Sequence, residues 1–390
     1  MNWDAAKKIL CVRLDYLGDV LMMTPAIRAL KTSLPGRHIT LLTSKSGAEV
    51  ASLIPEIDDV IVYDAPWMKC SDAHTVERDF LIAQLIRSRA FDGAVIFTTY
   101  SQSSLPSSML CYLASIPLRL GYCRENPYRL LTHWVKESEP DESVRHEVRR
   151  QLDLVQTIGC RTEDERLSLR LSDHARIAVT RVLRSLNISA QDTWLILHPG
   201  ASASSRRYPA SLWRQATAML AERIGCPLLF TGSADEIGLI DSIRNDIPGC
   251  HSLAGTLMVE ELAAVIACAS VMICNNTGPA HIAAAVGTPI VDLYALTNPQ
   301  HTPWQVPSRV LFHDVPCRYC YKSVCPQEHH DCLQKVSPET IVDAVQALLH
   351  DARDLPRQGY QLPEAVTQIT VAGLPPPVPM DDSFEQNSNG

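Results

Sequence analysis

Two carboxylates stand four residues apart in Asp15-Tyr16-Leu17-Gly18-Asp19, just after the first β-rich run of the chain. A carboxylate at such a turn can cap the helix that follows, accepting backbone N–H bonds at the positive end of the helix dipole. It can also serve as a general base toward a hydroxyl, being ionised near neutral pH. Asp19 fits both roles, capping being the simpler, and Asp15 is a second candidate base. Further along, residues 198–209 read His-Pro-Gly-Ala-Ser-Ala-Ser-Ser-Arg-Arg-Tyr-Pro. Small residues let backbone N–H groups approach an anion, and Arg206 or Arg207 adds charge, so this loop is a candidate diphosphate cradle. The alternative is a serine-rich connector. A third segment, Asn275-Asn276-Thr277-Gly278-Pro279-Ala280-His281, runs from a strand into a Gly-Pro turn and a helix whose first turn is free to bind an anion. His281 suits a ligand site or a buried structural histidine equally. Lastly, Cys317, Cys320, Cys325 and Cys332 are spaced CxxC-x4-C-x6-C, which suits structural zinc, an iron–sulfur cluster, two disulfides in an oxidising compartment, or a plain cysteine-rich turn.

Alternating strand-like and helix-like segments position these loops. Strand patterns fall at 8–14, 38–43, 59–63 and 94–98, with helical spacing at 20–34, 46–53, 77–89, 104–114 and 146–158. A second series has strands at 193–198, 227–231, 251–253, 271–274 and 290–293, and helices at 211–224, 234–245, 259–268, 278–286 and 338–350. Strands alternating with helices of this length predict an α/β protein of two doubly wound, Rossmann-like domains with parallel sheets. The expected division is 1–172, an inter-domain segment 173–192, a second domain 193–354 carrying the cysteine turn 317–332, and a Pro-rich disordered tail 355–390. Open α/β sheets bind ligands at the carboxyl ends of their strands, where all the first three loops fall.

Composition narrows the function. The chain has 390 residues with a formal net charge of −8, which argues against wholesale nucleic-acid binding. No apolar run reaches membrane-spanning length, and Arg13 and Asp15 interrupt the N-terminal apolar stretch too early for a secretion signal. Thirteen scattered cysteines fit a reducing cytoplasm. The first turn lacks GxGxxG, which weakens a nicotinamide-linked oxidoreductase reading.

Taken together, four separated segments resemble glycosyltransferase family 9, the ADP-heptose–lipopolysaccharide heptosyltransferases and their relatives. They are ILCVRLDYLGDVLMMTPAIRALK, HPGAS with RRYP, NNTGPAHIAAAVGTP, and the cysteine turn, within residues 8–349. The resemblance implies a GT-B fold, with two Rossmann-like domains facing a central cleft, and inverting transfer from a nucleotide-sugar donor with no metal or other cofactor required. It implies an acceptor that is a lipid-linked saccharide at the cytoplasmic face of the inner membrane, a peripheral membrane contact, and no nucleic-acid partner. By position, Asp19 resembles the catalytic base and Arg206 stands where the family has a phosphate-contacting lysine. Ser202 lies near the diphosphate, Glu236 resembles the carboxylate that holds the ribose, and Leu257 lies where an apolar side chain meets the base. Thr277, Gly278 and His281 match the donor-binding turn. Asn276 departs from the pattern, since the family usually has aspartate there. Arg119, Arg124 and Arg129 are candidate contacts to an anionic acceptor, or else a solvated charged face. Rival readings are a GT-B nucleotide-sugar epimerase and a non-catalytic sugar- or lipid-A-binding protein on a decayed transferase fold.

Overall fold

The computed structural model describes residues 2–69, 74–189 and 192–351, so the expected tail at 355–390 lies outside the described residues. The first half contains β1 (Lys8–Arg13), α1 (Leu17–Met22), α2 (Thr24–Ser33), β2 (His38–Thr43), α3 (Lys45–Ala51) and β3 (Asp59–Val62). It continues with α4 (Val76–Ser88), β4 (Gly93–Ile96), α5 (Leu105–Leu113), β5 (Leu118–Cys123), β6 (His133–Lys136) and α6 (Glu147–Gln156). Its parallel sheet runs β3-β2-β1-β4-β5-β6.

The second half opens with α7 (Asp173–Ser185), β7 (Leu195–His198), α8 (Ala210–Arg223), β8 (Leu228–Phe230), α9 (Ile237–Arg244), β9 (Cys250–Ser252) and α10 (Val259–Cys268). Then come β10 (Val271–Asn275), α11 (Gly278–Val286), β11 (Ile290–Leu293), β12 (Ser308–Leu311), α12 (Asp331–Gln334) and α13 (Pro338–Asp351). Its parallel sheet, β12-β11-β10-β7-β8-β9, repeats the winding of the first. In each half the strand order reverses beside the first strand, which makes the ligand crevice of a doubly wound sheet. The turns after β1, β7 and β10 are the three loops singled out above.

Two expectations change. The helix expected over 20–34 is two helices, because Pro25 sits in the first turn of α2 and has no N–H with which to continue the ladder of α1. Strands β5, β6 and β12 did not stand out in the sequence. The pattern of β5 is broken by Arg119 and Gly121, and β6 and β12 are half-exposed edge strands without apolar alternation.

The halves meet through α1 and α11, which pack on each other. Val20 and Leu21 of α1 belong to the same buried cluster as Ala280, Ile282 and Ala283 of α11. The linking chain is held by the first half up to residue 170. There Ser168 N donates to Thr24 Oγ1 at 2.9 Å, Arg28 Nη1 to the Asp164 carbonyl at 2.7 Å, and Arg170 N to the Leu53 carbonyl at 2.8 Å. Beyond it, α7 packs on α10 of the second half. A strap of residues 297–306 reaches back: Gln300 O accepts from Glu147 N at 3.0 Å, and Trp304 Nε1 donates to Glu165 O at 2.8 Å.

Candidate active site

Arg13, at the end of β1, is fully buried and carries three carboxylates at once. Its Nη1 lies 2.7 Å from Glu147 Oε1, its Nη2 3.1 Å from Asp19 Oδ1, and its Nε 2.8 Å from Asp15 Oδ2. One cation cannot compensate three buried anions, so the carboxylates divide it unequally. Burial works to raise the Glu147 pKa, but Arg13, His301 and Arg150 together outweigh it and Glu147 stays below the usual range. Burial pushes Asp15 up to about 6 against the pull of Arg13, with Asp19 adding to the rise. Asp19 is raised too, chiefly by burial, with Arg13 opposing and Glu147 reinforcing. The pair Asp15 and Asp19 therefore holds protons more tightly than ordinary aspartates and titrates as a unit.

Both readings of Asp19 are present in its geometry. Oδ2 accepts from Tyr16 N at 3.2 Å, closing the start of α1, while Oδ1 faces Arg13. Its side chain is the most exposed of the three, 18% against 11% for Asp15 and none for Glu147. Asp15 is further tied by the Gln102 amide.

Gly18 and the turn of α11 form the contact across the halves. A Cβ at Gly18 would lie 2.7 Å from His281 Cδ2, and one at Gly278 would lie 2.8 Å from Leu17 Cδ2. A side chain at Gly18 would press into the imidazole, whereas at Gly278 it would meet only the flexible tip of Leu17. Thr277 is the N-cap of α11, and its side chain makes no cap bond. The Gly278 N–H has no intrahelical partner, as at any helix start, and points a donor toward the cleft end of the helix. His281 is buried, and burial first, then His301, His146 and Arg206, pushes it down to about 3, so it is neutral.

The serine loop is braced from two sides. Asn275 Nδ2 donates to Pro199 O at 2.6 Å and its Oδ1 accepts from Tyr208 N at 3.2 Å. Ser205 Oγ donates to Lys322 O at 2.8 Å, tying the loop to the cysteine turn. Arg207 is used structurally, donating to Ala201 O at 2.7 Å. Arg206 is half-buried, and its charge acts on Asp292, His281 and His301. Ser202 is exposed on the same loop. Glu236 closes a short 3-10 turn by accepting from Ser233 N at 2.8 Å, and its carboxylate fills the space where a Cβ of Gly200 would be. Leu257 packs partly against the core, while the neighbouring Met258 is 74% exposed.

The structure adds four residues that sequence reasoning missed: Arg13, Glu147, Asp292 and His301. Asp292 is fully buried near the end of β11, with neither carboxylate oxygen hydrogen-bonded among the described residues. Burial pushes it up to about 8 despite Arg206 and Asn276 nearby. An acid inside the apolar run Pro-Ile-Val-Asp-Leu-Tyr was the available signal. Asn276 is buried beside it and donates through Nδ2 to His301 O at 3.2 Å.

The acceptor arginines are corrected in part. Arg119 is buried on β5, and its guanidinium donates to the carbonyls of Ile116, Arg129 and Leu130, so it braces the strand and faces no ligand. Arg124 donates to the carbonyls of Tyr100 and Glu139. Arg129 is exposed. The metal reading of the cysteines finds no support: among the described residues no three His, Cys, Asp or Glu side chains are placed to hold an ion. Cys317 Sγ approaches His329 Nε2 at 3.6 Å, and Cys317, Cys320, Cys325 and Cys332 are free thiols, which removes the disulfide alternative. The turn instead contacts both the serine loop and the first half. It carries Tyr321, whose ring packs edge-on against Tyr100 of the first half at 5.7 Å.

Comparison with known proteins agrees with this geometry. Lipopolysaccharide heptosyltransferase 2 of Salmonella typhimurium is 22% identical over 364 residues, covering 88% of this chain and 99% of that protein. A glycosyl transferase family 9 structure from Veillonella parvula superposes with a TM-score of 0.76 at 21% identity, covering 90% of this chain and 98% of that one. An E. coli heptosyltransferase solved with ADP-2-deoxy-2-fluoro heptose gives a TM-score of 0.62 at 16% identity, covering 88% and 99%. Such neighbours establish the fold, two parallel sheets in the GT-B arrangement. The profile described as glycosyltransferase family 9 (heptosyltransferase) matches residues 81–330, which leaves out β1 and Asp19 but takes in the serine loop, the α11 turn and most of the cysteine turn. The chain is a glycosyltransferase and belongs to glycosyltransferase family 9.

Proposed function

We propose that this enzyme transfers heptose, with inversion, from ADP-heptose to a lipopolysaccharide-core acceptor at the cytoplasmic face of the inner membrane. The observation that supports the reading is the placement of the Arg13–Asp15–Asp19–Glu147 cluster on one side of the Gly18–His281 contact, with the start of α11 on the other. In this reading the first half takes the acceptor and the second half the donor. Asp19 removes the proton from the acceptor hydroxyl as that oxygen attacks the anomeric carbon, and the bond to the diphosphate breaks on the opposite face. Arg206, the Gly278 N–H and the region of Ser202 receive the charge that develops on the leaving diphosphate. Thr277 and His281 shape that turn, Glu236 holds the ribose, and Leu257 with the exposed Met258 borders the base. These fixed donors supply the compensating charge, so transfer is expected to proceed in EDTA.

Support for a peripheral membrane contact comes from exposed apolar side chains on the first half, Phe80 and Leu81 of α4 and Leu113 of α5. No helix among the described residues is long and apolar enough to cross a membrane. The test is nucleotide release from ADP-heptose, UDP-sugars and GDP-sugars, with and without heptose-deficient lipopolysaccharide core. Release from ADP-heptose that depends on the core is the expected result. Nucleotide binding without turnover on any donor would favour a binding protein.

A further inference from the structure

Residues 300–304 of the strap bond the two halves in alternation. Toward the first half, the Gln300 carbonyl accepts from Glu147 N at 3.0 Å, the Thr302 carbonyl lies 2.9 Å from His146 Nε2, and Trp304 Nε1 donates to Glu165 O at 2.8 Å. His301 turns the other way. Its N–H donates to the Tyr294 hydroxyl at 3.2 Å, and its carbonyl accepts from Asn276 Nδ2 at 3.2 Å.

The His146 ring stands where this strap meets α6. Its Nδ1 accepts from Val148 N at 3.2 Å, which caps the helix, and the ring lies against Trp304 with centroids 4.5 Å apart. A backbone carbonyl accepts and a backbone N–H donates, so a single form meets both bonds, the neutral Nε2–H tautomer. Moving the proton to Nδ1 would set donor against donor at Val148 and acceptor against acceptor at Thr302. Burial lowers the His146 pKa, with the Thr302 bond and Glu147 opposing and His301 adding to the fall, which favours the neutral ring. Glu147 follows as the first residue of α6. Its carboxylate takes Arg13 Nη1 at 2.7 Å, and Arg13 Nη2 reaches Asp19 Oδ1 at 3.1 Å. A short path thus runs from the Thr302 carbonyl through His146 and Glu147 to Arg13 and Asp19.

We infer that His146 is a positioning residue for the transfer step: by bonding the strap and the start of α6 with one imidazole, it holds Asp19 in place relative to the second half. The inference rests on the reading of Asp19 as the base. It accounts for a histidine at an N-cap, where serine, threonine, aspartate or asparagine would serve the helix alone.

The test separates the two bonds in the full chain. In His146→Asn the amide oxygen still caps Val148 N, but the short side chain stops before Thr302. In His146→Gln the amide nitrogen stands in for Nε2 and keeps the strap bond, while the cap is lost. Each variant is measured by thermal melt, by ADP titration, and by kcat and KM for nucleotide release from ADP-heptose with heptose-deficient lipopolysaccharide core. His146→Asn should melt near wild type and bind ADP within about twofold, yet lose about tenfold in kcat, the size of one hydrogen bond felt in the transition state. His146→Gln should melt lower but keep kcat within about threefold. A merely structural role would rank kcat as it ranks the melts. On an Asp19→Asn background no base is left to position, so adding His146→Asn should change the residual kcat by less than about twofold. Wild-type kcat in His146→Asn, or the same loss on both backgrounds, would overturn the inference and leave the base reading standing. Normal turnover in folded Asp19→Asn, or none in wild type, refutes the base reading and the inference with it.

Discussion

Gly18 of α1 and His281 of α11 occupy one space: a single methyl group on Gly18 would sit 2.7 Å from the imidazole Cδ2. His281 is buried and held neutral, so it cannot swing into water without breaking the packing between the halves. Gly18→Ala should therefore lower stability by about 1–3 kcal/mol, the usual penalty for overpacking, and reduce transfer more than it reduces ADP binding. Adding His281→Ala should recover part of the stability. Thermal unfolding of the single and double variants reads this directly, and additive losses would show that the two side chains do not meet.

Removing Arg13 should do more damage than removing any one of its partners. Arg13→Met leaves Glu147 buried without its ion-pair partner, with only the more distant Arg150 acting on it, and breaking a buried pair from one side costs about 3–5 kcal/mol. Glu147→Gln leaves Arg13 with Asp15 and Asp19, and its Gln side chain still accepts from the guanidinium, so the loss should be smaller. Urea unfolding at neutral pH ranks the two variants.

The same cluster sets the pH dependence. Asp15 is raised to about 6 and Asp19 is raised as well. A base must be ionised to act, so kcat/KM should climb with pH as Asp19, whose carboxyl burial holds above the ordinary aspartate range, gives up its proton, and fall on the acid side. For stability the sign is opposite. A raised folded-state pKa means that the folded protein binds more protons than the unfolded chain, so the contribution of Asp15 declines as pH rises from the ordinary aspartate value toward about 6. Asp15→Asn should flatten that decline. Asp19→Asn should lower turnover by ~10²–10⁴-fold with ADP binding retained, and Asp15→Asn by much less. Normal turnover in folded Asp19→Asn would leave Asp19 only the helix-capping role it makes with Tyr16.

In the second half, Arg206→Ala should weaken ADP by about 1.5–3 kcal/mol, the worth of a hydrogen bond to a charged group. Glu236→Gln should weaken ADP but spare inorganic pyrophosphate, which has no ribose. Gly200→Ala should imitate the Glu236 defect, since its methyl group would displace that carboxylate. Calorimetric titration of ADP and pyrophosphate separates the three.

Much of this is legible in the sequence. The strand–helix alternation gave both sheets, and the turns at 18–19, 200–206 and 276–281 stand where doubly wound folds place ligands. What stayed hidden depends on distance across the chain. Arg13 looks like one charge in a strand until Glu147, 134 residues later, is found against it. Arg119 looks like an exposed cation until β5 is recognised as a buried strand whose arginine is consumed by carbonyls. Asp292 showed its oddity in the sequence, but its neighbours Asn276 and Arg206 come from other loops. The cysteine spacing suggested a metal, and among the described residues no three ligand side chains are placed to hold one.

Among the described residues, the backbone passes from the first sheet to the second only once, between the anchor at Arg170 and the start of α7. What else joins the halves among the described residues is noncovalent, including the α1–α11 packing, the Tyr100–Tyr321 ring contact and the strap that meets Glu147 and Glu165. The molecule is accordingly divisible. Two polypeptides parted at residues 171–172 would each own a complete sheet and reassemble as a split enzyme, with the surface buried around Gly18 and His281 deciding how tightly the fragments reunite.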